Sequence, residues 1–445
     1  MFSAAAQVSF ADSPNQLPWP QAQAIVQSIK PPTFPNQNFP ITKFGAIANS
    51  NIDCTSAIAS AITSCSNDGG GHVIIPSGKF LTGAIKLSSN VDLHLEAGAI
   101  LQFSPNPAEY PPEPTRYQGI DLINYSPAVY ANSAANIAIT GQGTLEGTLT
   151  AKWNKGGSGY SALEKMERDG VPISRRVFAT PARGMRTVFI EPYNCTNVLI
   201  QGVTIRDANF WQIHPLLCTN VIVDGVTTYT TSATGNTDGC DPESCKNVLI
   251  ENCDLGAGDD CIAIKAGRNP DTQRVHRPCE NLVIMHDRFH GPWGMITLGS
   301  EITDGVRNVY AYDLSTTSGP ARGGGTGDSV RLLLYMKSNK LRGGYATNVH
   351  IAKVRGKFSG GIINATLVYE GVKTGPTPPV FDDITVSDVQ AQSPDFLDVS
   401  GLSDDPIGGI TLSNCQITGV KKKNLVRDVK NLIFQNVTVN GVAVK

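Results

Sequence analysis

Residues 236–265 read NTDGCDPESCKNVLIENCDLGAGDDCIAIK, and the rest of the chain falls into order around them. Three carboxylates stand out: Asp238 in Asn236-Thr237-Asp238, and the adjacent pair Asp259 and Asp260 after Gly258. Between them lies a strand-like run, Asn247 to Leu255. About twenty residues separate Asp238 from Asp259, which is the length of one coil of a parallel β-helix, so the two motifs fall on neighbouring coils about 4.8 Å apart. Three acids gathered there resist joint ionisation, and at least one pKa should rise. A protonated acid beside ionised partners is what cleavage of a glycosidic bond requires. The alternative is that these Asp residues only cap backbone groups in Gly-rich turns.

Working outward, one unit recurs: an Asn followed by three apolar residues, as in Asn197-Val-Leu-Ile200, Asn220-Val-Ile-Val223, Asn247-Val-Leu-Ile250, Asn281-Leu-Val-Ile284 and Asn431-Leu-Ile-Phe434. The interval is irregular, roughly 22 to 40 residues, as expected for coils of constant core with loops of varying length. Each strand buries its inward side chains against the coils above and below, and Asn at a turn can ladder its amide with the next. The pattern predicts an all-β protein, a single right-handed parallel β-helix with loop insertions. Repeating Asn-led strands with no helices between them argue against an antiparallel sandwich. Residues 54–65 (CTSAIASAITSC) form an amphipathic helix suited to covering the open N-terminal end of such a solenoid. Residues 1–40, rich in Pro, Gln and Asn, read as an extended arm with one short helix near Pro20 to Lys30, and residues 41–445 as the β-helix. An insertion at about 150–186, charged and partly helical, overhangs one face as a possible cleft wall, and Gly319 to Ser329 reads as a flexible loop.

The chain has 445 residues with a formal net charge of −2, so it carries no electrostatic footprint for nucleic acid or an anionic membrane. No run of eighteen apolar residues exists, and no membrane span is expected. Ten Cys residues, an even number, point to disulfides or inert core thiols and to a secreted chain, an intracellular one being the alternative; the sequons at Asn124, Asn194, Asn364 and Asn436 are of a kind common by chance and add little. The spacing of Cys240, Cys245, Cys253, Cys261 and Cys279 does not match a zinc set. His214, one coil before the acids, reads as a satisfied core histidine.

Asn236–Gly239 (NTDG), Gly258–Lys265 (GDDCIAIK), Leu298–Glu301 (LGSE) and Phe44–Ala46 together resemble the polygalacturonase family, glycoside hydrolase family 28. His94–Gly98 and Ile139–Leu145 also resemble its bacterial-type and exo-acting members. The resemblance runs from about residue 40 to the C-terminus. It implies inverting hydrolysis of a pectic glycan, with Asp259 as general acid, Asp238 and Asp260 holding and activating the water, and no metal or cofactor. The acid and base carboxyls of an inverting enzyme stand about 6.5–9.5 Å apart to admit that water.

Two positions depart from the family pattern. The His of its Gly-His-Gly falls at Trp293, with His290 three residues upstream, and its Arg-Ile-Lys reads Tyr335-Met336-Lys337. Trp cannot relay a proton but offers a flat face to a sugar ring or an aromatic ligand. Tyr in place of Arg removes bidentate carboxylate recognition. Asn236, Lys265, His290, Trp293, Tyr335 and Lys337 are therefore the expected substrate-binding residues, and the expected specificity departs from plain polygalacturonan. Two other readings stand beside hydrolysis: a repurposed β-helix catalysing dehydration or cyclisation of a less polar small molecule, and a non-catalytic carbohydrate-binding β-helix. The expected partner is a carbohydrate or small-molecule substrate, and the expected state a monomer.

Overall fold

Every Asn that leads a repeat has left-handed backbone, from Asn90 (φ 63) through Asn197 (φ 57), Asn247 (φ 59) and Asn308 (φ 58) to Asn431 (φ 53). Asn tolerates this conformation better than other non-Gly residues. The turn it makes sends the chain into the next strand with the following Val or Ile pointing inward. In this computed structural model, which describes residues 17–148, 157–231, 235–269, 271, 275–317, 319–320, 326–327 and 330–444, the result is a right-handed parallel β-helix.

Three walls repeat from coil to coil. The first contains Thr196–Gln201, Thr219–Asp224, Lys246–Glu251 and Cys279–Met285, paired in parallel and in register. The second contains Thr204–Arg206, Thr227–Tyr229, Asp254–Gly256 and Arg288–His290. The third contains Ile262–Ile264, Gly294–Gly299 and Val330–Lys337. Register makes columns of like residues: Val198, Val221, Val248, Leu282 and Val309 stack inside, as do Ile200, Val223, Ile250, Ile284 and Ala311. All are buried in one continuous core.

From Ala138 to Tyr310 the middle apolar residue of each repeat points outward, yet it too is buried. Ala138, Leu199, Ile222, Leu249, Val283 and Tyr310 form an outer column covered by α1 (Pro20–Ser28) and its flanks Leu17, Trp19 and Ile29. On later coils the same column turns polar, through His350, Thr385 and Thr411. The N-terminal end is closed by α2 (Thr55–Asn67), which buries Ala57, Ile58, Ala61, Ile62 and Cys65. Much of the loop Gly319 to Ser329 lies outside the described residues, as do residues 1–16 of the arm.

Disulfides are not found: all ten cysteines are free and buried. Cys195, Cys218 and Cys245 each precede the first wall on successive coils, Cys279 opens it on the next, and the Cys218 amide donates to Cys245 Sγ at 3.4 Å. In-register neighbours on parallel strands stand about 4.8 Å apart, whereas a disulfide needs Cβ atoms about 3.5–4.5 Å apart. The residues pack as small hydrophobes.

The turns are tied to one another along the axis. Asn136, Asn197, Asn220, Asn247, Asn281, Asn308 and Asn348 each donate Nδ2–H to Oδ1 of the preceding coil's Asn, over 2.8 to 3.1 Å, ending at Asn90. Asn247→Ala should remove two such bonds and strain the backbone, costing about 1–3 kcal/mol in thermal or denaturant unfolding. Asn247→Gly, which accepts the left-handed turn, should lose less. Equal stability of all three proteins would show that the ladder contributes nothing.

Candidate active site

The acids sit where the second wall turns into the third. Gln212 N–H donates to the Asp238 carbonyl (2.9 Å) and Gly239 N–H to the Asp260 carbonyl (3.1 Å), so Asp238 and Asp260 are neighbours on adjacent coils. Asp259 stands beside them, and one oxygen from each of the three carboxylates lies within 4.8 Å of the other two. Asp259 accepts backbone N–H bonds from Asn236 and Asp260, both at 3.1 Å. Asp260 accepts from Gly294 N–H at 2.9 Å and from Lys337 Nζ at 3.0 Å. Asp238 Oδ1 is buried with no hydrogen-bond partner, and Oδ2 lies 4.0 Å from Lys265 Nζ. Asn236 is itself held by Arg186, whose Nη2 donates to its Oδ1 at 2.6 Å. The three oxygens are spaced as a divalent-cation site would be, but Lys337 and Lys265 already supply positive charge there.

Lys265 is a hub. Its ammonium lies 3.4 Å from Asp241, 3.8 Å from Glu301 and 4.0 Å from Asp238, and 4.5 Å from the centre of the Trp211 ring. Burial pushes Asp238 well above the usual carboxylate range, and Asp241 and Asp259 push it further while Lys265 opposes them. Burial and the neighbouring Asp260 likewise raise Asp259, against the pull of Lys337. Burial would raise Glu301 too, but Lys265, Arg342, Arg268 and Lys337 draw it down to about 2. His214 is fully buried between Glu191 and Glu243, 3.0 Å from each; burial opposes its charge, but the two carboxylates raise it to about 9. It is thus a satisfied core cation. Arg116 joins Glu243 (2.9 Å) to Asp121 (2.7 Å), tying the hairpin Pro112–Tyr117 and Ile120–Tyr125 to the third wall.

Beside the acids opens a cavity of about 350 Å³. Asn236, Asp238, Asp259, Asp260, Lys265 and Lys337 line it, as expected from sequence. His290, Trp293 and Tyr335 do not. His290 is buried under the turn, 3.5 Å from Asp254. Trp293 carries the Arg331 guanidinium on its ring at 4.5 Å. Tyr335 lies in register with Thr297, one coil past Ala263, and underlies the Lys337 ammonium at 4.6 Å. These three were expected in the substrate site, and the structure places them off the cavity wall. Other lining residues arrive from insertions: Gln118 from the hairpin tip, Tyr160 and Glu164 from α3 (Gly157–Arg168), Tyr369 and Glu370 from a later turn. Arg268 and Arg342 complete that side. The hairpin tip must be Gly at 119, because a Cβ there would come within 2.5 Å of Arg268 Cβ.

Asp241, whose two oxygens make no hydrogen bond, offers a direct test of these electrostatics. Burial raises it to about 7, with Lys265 and His214 opposing. A raised folded pKa means that stability is full below the unfolded value near 4 and is lost as pH rises toward 7. Asp241→Asn removes that loss, so its melting temperature should gain on the parent protein steadily from pH 4 to 7. A difference that does not change with pH would contradict the burial of this charge.

Comparison with known proteins gives the same outline. Residues 184–436 match the sequence model of Glycosyl hydrolases family 28. The chain is similar to the exo-poly-alpha-D-galacturonosidase of Dickeya chrysanthemi, 28% identical over 446 residues, covering 90% of this chain and 71% of that protein. It is also 28% identical over 369 residues to the endo-polygalacturonase of Pectobacterium carotovorum subsp. carotovorum, covering 82% and 84%. Among solved structures, the hyperthermoactive exopolygalacturonase from Thermotoga maritima superposes with a TM-score of 0.86 at 33% identity, covering 95% of this chain and 96% of that one. With the family's sequence model spanning more than half of the chain and a family structure superposing over nearly all of it, this protein belongs to glycosyl hydrolases family 28 as a polygalacturonase-like member.

Proposed function

We propose that this protein is an exo-acting, inverting glycosidase that removes a terminal uronosyl residue from a pectic glycan. The observation that carries the reading is the three-acid cluster lining a cavity to which α3, the hairpin tip and a later turn also contribute side chains. Asp259, the most open of the three acids, gives its proton to the leaving oxygen. Asp238 and Asp260, stacked on adjacent coils, hold and activate the water. Burial and the neighbouring Asp260 raise Asp259, so it keeps a proton available where an isolated carboxylate would have lost it.

The carboxylates approach more closely than the about 6.5–9.5 Å of a two-carboxylate inverting pair. Here the water is flanked by Asp238 and Asp260 together rather than spanned between one acid and one base. Exo action is supported by α3, the hairpin tip and the Tyr369–Gly371 turn, which add Tyr160, Glu164, Gln118, Tyr369 and Glu370 to the lining of the cavity beside the acids. Two of the similar proteins carry exo-acting names, which agrees with this mode. Because Trp293 and Tyr335 stand off the cavity wall, the motive for a dehydration or cyclisation of a less polar molecule is weakened. The carbohydrate-binding reading leaves the crowded acids without a role. We further propose that residues 41–445 act as one β-helical unit, that the chain works as a monomer, and that its place is extracellular, where pectic glycans are met.

Asp259→Asn should reduce release of reducing ends from oligogalacturonides by about 10²- to 10⁴-fold, the usual contribution of a general acid. The parent protein should liberate monosaccharide from the first minutes, with the newly formed anomer inverted by proton NMR. Undiminished release from the variant would dismiss the acid assignment, a retained anomer the single displacement, and early mid-length fragments the exo mode.

A further inference from the structure

The cavity is polarised. Asp238, Asp259 and Asp260 occupy one side, then come Lys265 and Glu301, and beyond them Arg268 and Arg342. Each arginine is braced by a carboxylate from a different insertion. Arg268 Nη2 donates to Glu164 of α3 at 2.6 Å, and its Nη1 donates to the Tyr160 hydroxyl. Arg342 Nη2 donates to Glu370 at 3.0 Å, and its guanidinium lies 5.1 Å from the centre of the Tyr369 ring. Arg342 is only 4% exposed, and its Nη1 is buried without a hydrogen-bond partner. A buried, unpartnered guanidinium N–H on a cavity wall is a donor awaiting an acceptor. The two arginines also repel one another, a cost that an anion between them would offset.

The side of the bond where the leaving group departs is built differently. Tyr335 stands where the family pattern has Arg, and Lys337 is already committed to Asp260 at 3.0 Å. Arg331 rests on Trp293 and does not line the cavity. No free guanidinium fork among the described cavity residues faces that side.

We propose that the substrate carboxylate is read at the terminal sugar by Arg342 together with Arg268, and that the leaving group need not carry a carboxylate at all. The substrate class is then a terminal uronoside on an uncharged aglycone, whether a neutral sugar, an esterified uronate or an aryl group. This rests on the hydrolytic reading above, and it makes Arg342 a specificity-determining residue: a bidentate fork suits a carboxylate and offers little to a hydroxymethyl group.

The test compares 4-nitrophenyl α-D-galacturonide with 4-nitrophenyl α-D-galactoside, which differ only at the terminal carboxylate, and includes digalacturonate. The parent protein should cleave the aryl galacturonide within about tenfold of digalacturonate in kcat/KM, and prefer it over the galactoside by about 10- to 100-fold, the worth of a hydrogen-bonded charge pair. In Arg342→Gln the preference should collapse, mainly through a raised KM for the galacturonide. Arg342→Lys, which keeps the ion pair with Glu370 but not the fork, should fall between and carries the test if the glutamine variant melts early. An unchanged preference in folded variants overturns the role of Arg342. Digalacturonate cleaved while the aryl galacturonide is refused overturns the uncharged leaving group. No cleavage of any of the three overturns the hydrolytic reading and this inference with it.

Discussion

The structure depends on one constraint, that each coil lies in register on the one before it at a single strand spacing. Register is what turns a sequence repeat into columns, and columns are what this protein is made of. Valines stack on valines inside, asparagines on asparagines at the turn, and cysteines on cysteines where the first wall begins. A slip by one residue would turn every inward side chain outward. The left-handed asparagines guard against it, since few other side chains accept that backbone and none reproduces the amide ladder.

The same constraint builds the site. Acids some twenty residues apart in sequence become neighbours because one coil consumes that much chain. Their crowding is not relieved by solvent, so the wall has to supply cations: Lys265 and Lys337 sit in later positions of the same wall, and each touches an acid of the cluster. What emerges is a line of alternating charge, from the catalytic acids through Lys265 and Glu301 to the arginines. A proton donor at one end and an anion receptor at the other suit a substrate that carries a carboxylate and a cleavable bond a fixed distance apart.

Much of this was legible in the sequence, and the boundary is physical. The Asn-led apolar triplets announced the coils, because register makes their spacing periodic, and the spacing of Asp238 from Asp259 announced the cluster. What could not be read were contacts made by departures from the repeat. Gln118, Arg342 and Glu370 reach the cavity from loops whose paths no periodicity dictates, and the only local sign of the Arg342 turn is the Gly343-Gly344 pair that follows it, both with positive φ. Trp293 and Tyr335 were expected in the substrate site, but a position in a motif does not say whether a side chain faces the cavity or a neighbour. An even cysteine count suggested pairing, and a column at strand spacing defeats it.

The asparagine ladder also has a direction. In all seven bonds the later coil donates and the earlier accepts, so the side-chain amide dipoles lie head to tail along the axis and polarise one another. The carbonyl end of this spine is Asn348, whose Oδ1 meets His350 Nε2 at 2.5 Å. An oxygen there demands a proton on that nitrogen. His350 Nδ1 then becomes the acceptor for the Thr385 hydroxyl 2.6 Å away, and burial, holding its pKa below the usual histidine value, keeps the ring neutral. The tautomer of one imidazole is thus tied to the direction of the amide ladder that ends beside it.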